Sequence, residues 1–320
     1  MTRILFITAT RIGDAIMNMG VLDHLIASHP DARITVGCGP LAAPLFRAIP
    51  EVERVIVMKK QKGGGHWLKL WRESVGHRWD TVVDLRGSLT SWFLWAGRRF
   101  VKRPNAKAGV RHRVEEAAQV LRLETTPGTR LWIDAAGQDR ANAELPSDQS
   151  VLALSPAASA VFKEWSPERF SELALRLTAE DGLLPGAVIA IFGGPGDEAR
   201  AEAVKRGLEA RTVIDLTGQL DLVEAAACLK RAALFVGNDS GLMHMAAAAG
   251  TPTLGLFGPT DERLYAPWGE NAAIVRAGDR FDESERRALA DSAKETLMGA
   301  LQVDAVERAA RALMADVKRA

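Results

Sequence analysis

The chain has 320 residues, 47% of them hydrophobic and 25% charged, a globular composition with enough length for two domains. A formal net charge of +1 gives no sign of a nucleic-acid partner, and none is expected. The two cysteines, Cys38 and Cys228, supply neither a disulfide framework nor a metal pattern, which fits a reducing cytoplasm. The charge is unevenly spread. Residues 1–145 hold 22 Lys+Arg against 14 Asp+Glu, a balance of +8, and residues 146–320 a balance of −7. The basic excess is densest between Glu51 and Arg113 and suggests an anionic partner, with a solvated face as the alternative.

Along the chain, Arg3–Thr8 reads as an apolar strand, with no signal peptide before it and no apolar span long enough to cross a bilayer anywhere. TATRIGDAIMNMG follows. Gly13 permits a tight turn, and Asp14 stands at the start of the next helix, placed either to act as a general base or to complement the helix dipole. Ala15–Ser28 has helical spacing, and Arg33–Val36, Val55–Met58 and Thr81–Leu85 read as strands. Gly37-Cys38-Gly39-Pro40-Leu41-Ala42 fits G-x-G-x-x-A. It follows the second strand, however, and the next strand ends in Lys59-Lys60 without a ribose-binding acid, which argues against a nicotinamide dehydrogenase. Gln61–Trp71 and Ser91–Arg103 interleave tryptophans with cations, a composition suited to an anionic membrane surface. Ordinary core packing is the alternative for Trp92, Phe93 and Trp95.

The polar stretch Ala135–Ser150 reads as a linker, dividing the chain into domains 1–145 and 146–320. A second strand series begins beyond it: Val151–Ser155, Val188–Phe192, Val213–Leu216, Leu234–Val236 and Thr253–Phe257. Helical patterns lie between, as in Pro167–Glu180 and Ala199–Glu209, and the tail from Ser284 to Ala320 reads as helical. Short Val, Ile and Leu runs alternating with helices predict parallel sheets covered on both faces. Residues 234–261, LFVGNDSGLMHMAAAAGTPTLGLFGPTD, read as strand, polar turn, helix, strand. Asn238, Asp239 and Ser240 offer capping side chains, and Gly241 lets a ligand approach the backbone. A helix opening there can hold a phosphate on its free N–H groups.

Asp14 within RIGDAI, VVDLRGSLTSW, LALSPAASAVFKEWSPERF, IAIFGGPGDE and NDSGLMHMAAAAGTPTLGLFGPTD, in that order, resemble the heptosyltransferases of bacterial lipopolysaccharide synthesis, glycosyltransferase family 9. The resemblance implies an α/β chain with the GT-B fold: two Rossmann-like, doubly wound parallel-sheet domains with a central cleft. The N-terminal domain would bind the acceptor and the C-terminal domain the nucleotide sugar. It implies Asp14 as catalytic base. Lys163, Asp239, Ser240, Gly241 and His244 would bind the donor diphosphate, with a structural role as the alternative for His244. Glu198, or its neighbour Asp197, would contact the nucleoside. No cofactor or metal is implied, and no Asp-x-Asp triplet occurs. The donor would be ADP-heptose or another nucleotide-sugar. The acceptor would be an anionic lipid-linked saccharide, contacted by Arg11, Arg98 and Arg99, with peripheral contact to the inner membrane from the cytoplasmic side. One departure stands out. Many members have Thr-Pro where this chain has Met19-Gly20. A sugar-nucleotide epimerase of the same architecture and a non-catalytic sugar-nucleotide-binding protein are the other readings.

Overall fold

The computed structural model describes residues 2–103, 109–278, 281, 284–285, 288 and 295–319. The chain divides into two compact units, Met1–Trp132 and Ile133–Ala320. In the first, strands β1 (Arg3–Ile7), β2 (Arg33–Cys38), β3 (Val52–Val57), β4 (Trp79–Asp84) and β5 (Ala96–Val101) form one sheet in the order β3-β2-β1-β4-β5. Every pairing is parallel. The helices of this unit are α1 (Ile12–Met17), α2 (Met19–Ser28), α3 (Ala43–Arg47), α4 (Gly65–Ser74) and α5 (Arg113–Val120). β1 is buried at every residue after Arg3, as a strand covered on both faces must be. α4 covers one face, where Leu70 packs with Leu5, Ile7, Ile56, Met58 and Val82.

The expected helix Ala15–Ser28 is two helices. The chain breaks at Asn18, whose amide donates back to the Thr8 hydroxyl at 2.9 Å. Gly20 then lies where a Cβ would sit 2.6 Å from the Gly128 carbonyl oxygen. Glycine here admits the 127–128 segment against α2, which accounts for the departure from Thr-Pro. The Gly-Cys-Gly turn has an equally local cause. A Cβ on Gly39 would stand 2.6 Å from the Thr10 backbone, so this glycine allows the β2 loop to abut the loop that leads to Asp14.

The second unit holds β6 (Val151–Ser155), β7 (Val188–Ile191), β8 (Val213–Asp215), β9 (Leu234–Asn238), β10 (Thr253–Phe257) and β11 (Ala272–Arg276), ordered β11-β10-β9-β6-β7-β8 and again all parallel. Its helices are α6 (Ala135–Glu144), α7 (Pro167–Leu177), α8 (Glu198–Lys205), α9 (Leu222–Lys230), α10 (Gly241–Ala248), α11 (Glu262–Tyr265) and a C-terminal helix, Val303–Val317. The stretch expected to be a linker is mostly α6, capped by the Asp134 carboxylate on the Gly137 N–H at 2.8 Å. Arg231, at the end of α9, donates to the Ala141 and Pro146 carbonyls and fastens α6 to this unit. The unit boundary therefore lies before α6 rather than after it.

Of the expected helical tail, residues 286–287 and 289–294 lie outside the described residues, and 295–302 are not helical. That segment is pinned by side chains instead. The buried Trp165 indole donates to the Leu301 carbonyl at 2.8 Å, and Arg169 donates to Gly299 and Leu301. Two edge strands, β5 and β11, carry only partial burial.

Candidate active site

In a doubly wound sheet, ligands bind outside the carboxyl ends of the strands where the order reverses. In the second unit that point lies between β6 and β9, and the residues expected to hold the donor meet there. Lys163 comes from the loop after β6 and Asp239 directly follows β9. The Lys163 ammonium stands 2.7 Å from an Asp239 carboxylate oxygen. Burial alone would push the Asp239 carboxyl up. The charge and hydrogen bond of Lys163, with the charge of His244, hold it below its ordinary value of 3.8. Ser240 is the N-cap of α10, its hydroxyl accepting from the Met243 N–H at 3.5 Å. Gly241 is the first residue of that helix, and His244 lies buried on it. Lys163, Asp239, Ser240, Gly241 and His244 thus form one cluster of a cation and helix-end amides, suited to an anionic group such as a diphosphate.

Asn238 plays a different part from the capping role expected of it. It is the last residue of β9 and fully buried. Its side-chain carbonyl accepts from the Trp165 N–H at 3.1 Å, and its amide donates to the Pro156 carbonyl at 2.7 Å. Asn238 therefore clamps both ends of the loop that carries Lys163. Glu164 extends the clamp, accepting from Ala158 N–H at 3.2 Å and from Arg200 Nε at 2.7 Å. Arg200 lies on α8, so the lysine loop is tied to the glycine-rich turn before that helix. Sequence reading missed Asn238 and Glu164 as positioning residues. Both flank the motif residues in the chain, but their partners lie 82 and 36 residues away. The Ser155 hydroxyl, at the end of β6, is also buried and has no hydrogen-bond partner among the described residues.

The glycine-rich turn separates the two candidate acids. Asp197 accepts from the Gly194 N–H at 2.9 Å and closes its own turn. Glu198 is exposed and opens α8. Backbone hydrogen bonds from Gly196 and from its own N–H lower its carboxyl below the usual range. Gly218, at φ +69°, lies where a Cβ would be 3.0 Å from the Glu198 carboxylate, so glycine keeps the face of Glu198 open.

In the first unit, Arg11 is the exposed N-cap residue of α1 and makes no side-chain cap, and Asp14 lies in the first turn. Both follow β1, the strand at which that sheet's order reverses. Arg98 and Arg99 lie on β5, well along the sheet from Asp14. Arg99 donates to the carbonyls of Ser91, Ala96 and Leu94, so its guanidinium is committed mainly to holding its own loop. Arg98 is exposed and lines a cavity of about 750 Å³ with Lys102, Arg103, Arg111, Arg113 and Arg122. The single acid in its wall, Glu116, is paired with Lys102 at 2.9 Å and Arg113 at 2.7 Å. Burial would raise the Glu116 carboxyl, but those two cations hold it below its usual range.

Beside this cavity the tryptophan-rich segment turns outward rather than into a core. Leu89 is 78% exposed, Phe93 70%, Trp95 68% and Trp92 48%. Arg103 stacks on Trp92 at 5.6 Å and Arg78 on Trp95 at 5.4 Å.

Two all-parallel α/β units, one with a lysine–aspartate pair and a capped helix at its switch point, define a GT-B glycosyltransferase. The chain belongs to glycosyltransferase family 9 (heptosyltransferase), whose model matches residues 67–295. It is 25% identical to Lipopolysaccharide heptosyltransferase 3 of Escherichia coli, over 83% of this chain and 86% of the relative. Its fold is similar to a family 9 glycosyl transferase of Veillonella parvula, with a TM-score of 0.77 and 21% identity across 98% of this chain and 97% of that one. An E. coli heptosyltransferase solved with ADP has a TM-score of 0.71 and 21% identity, covering 98% and 100%.

Proposed function

We propose that this chain transfers heptose, or a related sugar, from an ADP-sugar to a hydroxyl of a lipopolysaccharide-core or other anionic glycan, with inversion and without a metal. The Lys163–Asp239 pair at the head of a capped helix carries this reading. A lysine already held beside the helix amides needs only to exchange a carboxylate for a diphosphate. Relatives named for heptose transfer, one of them solved with ADP, support the donor class. Glu198, facing the open side of Gly218, is the acid assigned to the nucleoside.

The chemistry follows from charge. The acceptor oxygen attacks the anomeric carbon as the bond from that carbon to the diphosphate oxygen breaks. The bonding pair leaves with ADP. Lys163 and the α10 amides near Ser240 and Gly241 stabilise the leaving charge, with His244 beside them. Asp14 takes the acceptor proton on the opposite face, which gives inversion. The second unit is assigned the donor and the first the acceptor. Arg11 and Arg98 are assigned to acceptor anions, with Arg99 holding the loop beside them. No cofactor is invoked.

The exposed Leu89, Trp92, Phe93 and Trp95, next to a cationic cavity, support peripheral docking on the cytoplasmic face of the inner membrane. Among the described residues no helix is long and apolar enough to cross a membrane.

A donor screen tests the reading. An ADP-sugar is expected to raise Tm more than other nucleotide sugars, and Lys163→Ala to abolish that rise. With a lipid-linked acceptor, mass spectrometry should find the glycosylated product. Asp14→Asn should slow transfer by about 10²–10⁴ and leave the donor-induced Tm rise intact. Turnover of the nucleotide sugar without any acceptor would instead identify an epimerase. Donor binding with no turnover under any condition would identify a binding protein.

A further inference from the structure

The switch point of the first sheet lies between β1 and β4, whose ends align at Ile7 and Asp84. The loop after β1 leads to Asp14. The loop after β4 carries Arg86, a cation inside the VVDLRGSLTSW motif to which the sequence reading gave no role. Asp84, wholly buried, organises that loop by accepting from the N–H groups of Arg86, Gly87 and Ser88 and from the Ser88 and Ser91 hydroxyls. With its oxygens committed to five donors, the Asp84 carboxylate gives the Arg86 guanidinium no hydrogen bond. The guanidinium lies instead over the Trp67 ring at 4.7 Å, and its Nη1 is buried with no partner among the described residues.

A second unpartnered nitrogen flanks the same ring. His66 is 8% exposed, its ring 5.1 Å from that of Trp67, and its Nδ1 is likewise buried and unpartnered among the described residues. Desolvation, then the charges of Arg86 and Lys60, lower the His66 pKa. Burial lowers that of Arg86 too, against the opposing charge of Asp84. Two covered nitrogens beside one indole ring, with the Lys60 charge also acting on His66, make an electropositive place whose hydrogen-bonding capacity is unmet. Leaving such groups unsatisfied costs stability, and an oxyanion satisfies both at once.

We propose that Arg86 and His66, with Lys60 beside them and Trp67 beneath, form an oxyanion subsite at the β1/β4 switch point that takes a carboxylate or phosphate group of the acceptor. The inference rests on the transferase reading for the identity of the ligand, and on the first unit alone for the existence of the site. A guanidinium stacked on an indole presents its edge donors in a plane, the geometry that suits a two-oxygen anion. The imidazole becomes a second charge-assisted donor once the bound anion's charge favours its protonation. Held there, the anion would favour the protonated form of His66 and orient the acceptor next to the strand that leads to Asp14.

The test has two arms. In the first, the imidazole resonances of His66 are followed by NMR across pH, with inorganic phosphate, with acetate, and with neither. Phosphate or acetate is expected to raise the His66 pKa by about one pH unit. Arg86→Met should abolish that response, and Arg86→Lys should restore part of it. No response, or one undiminished in R86M, overturns the site. In the second arm, transfer is measured against acceptor concentration. R86M and His66→Gln are each expected to raise the acceptor KM about tenfold, with donor KM and kcat within about twofold. An anion response lost in R86M together with an unmoved acceptor KM assigns the site to free anions and overturns the acceptor assignment. If R86M does not fold, R86K carries the first arm and R86K with H66Q the second. Should the wild-type chain transfer nothing, the first arm still decides the subsite, while the transferase reading alone falls.

Discussion

The Lys163 ammonium and an Asp239 carboxylate oxygen lie 2.7 Å apart at the switch point of the second sheet. The contact joins the loop after β6 to the end of β9, 76 residues apart in the chain. It ties the two segments together, and in the proposed reading it also captures the donor diphosphate. Breaking a buried pair by removing one partner costs about 3–5 kcal/mol, and the partial exposure of Lys163 places this pair toward the lower end.

Asp239 gives the pair a pH signature. Its folded pKa lies below the ordinary 3.8, so its contribution to stability is complete above that value and is lost as pH falls through the folded pKa. Asp239→Asn is expected to lower Tm relative to wild type near pH 7, and the gap should narrow as pH falls below about 4. Calorimetry across pH measures this. A gap that widens in acid contradicts a depressed Asp239.

Asn238→Ala removes the acceptor for Trp165 N–H and the donor for the Pro156 carbonyl. Two buried backbone groups then lose partners, at about 1–3 kcal/mol each. The expected result is a loss of roughly 2–4 kcal/mol in denaturant unfolding and weaker ADP-sugar binding, because Lys163 loses its clamp. Asn238→Asp should be as severe, since a carboxylate cannot donate to Pro156. Unchanged donor affinity in a folded Asn238→Ala protein would separate the clamp from the site.

Gly39→Ala places a methyl group 2.6 Å from the Thr10 backbone, which must move. The loop that leads to Asp14 should shift with it. A cost of about 1–3 kcal/mol is expected, with transfer slowed more than donor binding is weakened. Equal wild-type rates at full stability would show that Asp14 is insensitive to this loop.

Leu89, Phe93 and Trp95 together offer a large apolar surface beside Arg98 and Arg103. Sedimentation with phosphatidylglycerol vesicles is expected to carry the protein down at low salt, with weaker binding at 0.5 M salt and little to phosphatidylcholine. Phe93→Ser with Trp95→Ser should cut the bound fraction several-fold without lowering Tm. Equal binding to both lipids speaks against an anionic surface as the partner.

Nine of the eleven described strands are legible in the chain as short runs rich in Val, Ile and Leu. The two that escape notice are edges. β5 carries Gly97, Arg98 and Arg99, which break its apolar run, whereas β11 does hold an apolar run, residues 272–275, and is no less buried than the legible β8. α6 reads as a linker because its apolar moment is weak. Its Ala- and Gly-rich face becomes visible as a helix face only once α9 lies against it.

The donor cluster was similarly half visible. Local order and residue type were enough to mark Asp239, Ser240 and Gly241, since a strand, a polar turn and a small-residue helix are neighbours in the chain, whereas Lys163, 76 residues away, and His244 were marked only by the family resemblance. Nothing local could say that Asn238 ties down a loop 82 residues away, that Arg99 is committed to three carbonyls, or that Trp92, Phe93 and Trp95 face outward. Apolar periodicity determined the two parallel sheets, because these follow from apolar burial along each strand, while the motif residues were marked by the ordered family resemblance. The partners of each polar group were decided by the folded chain alone, because hydrogen bonds and ion pairs form between whichever groups the strand order brings together.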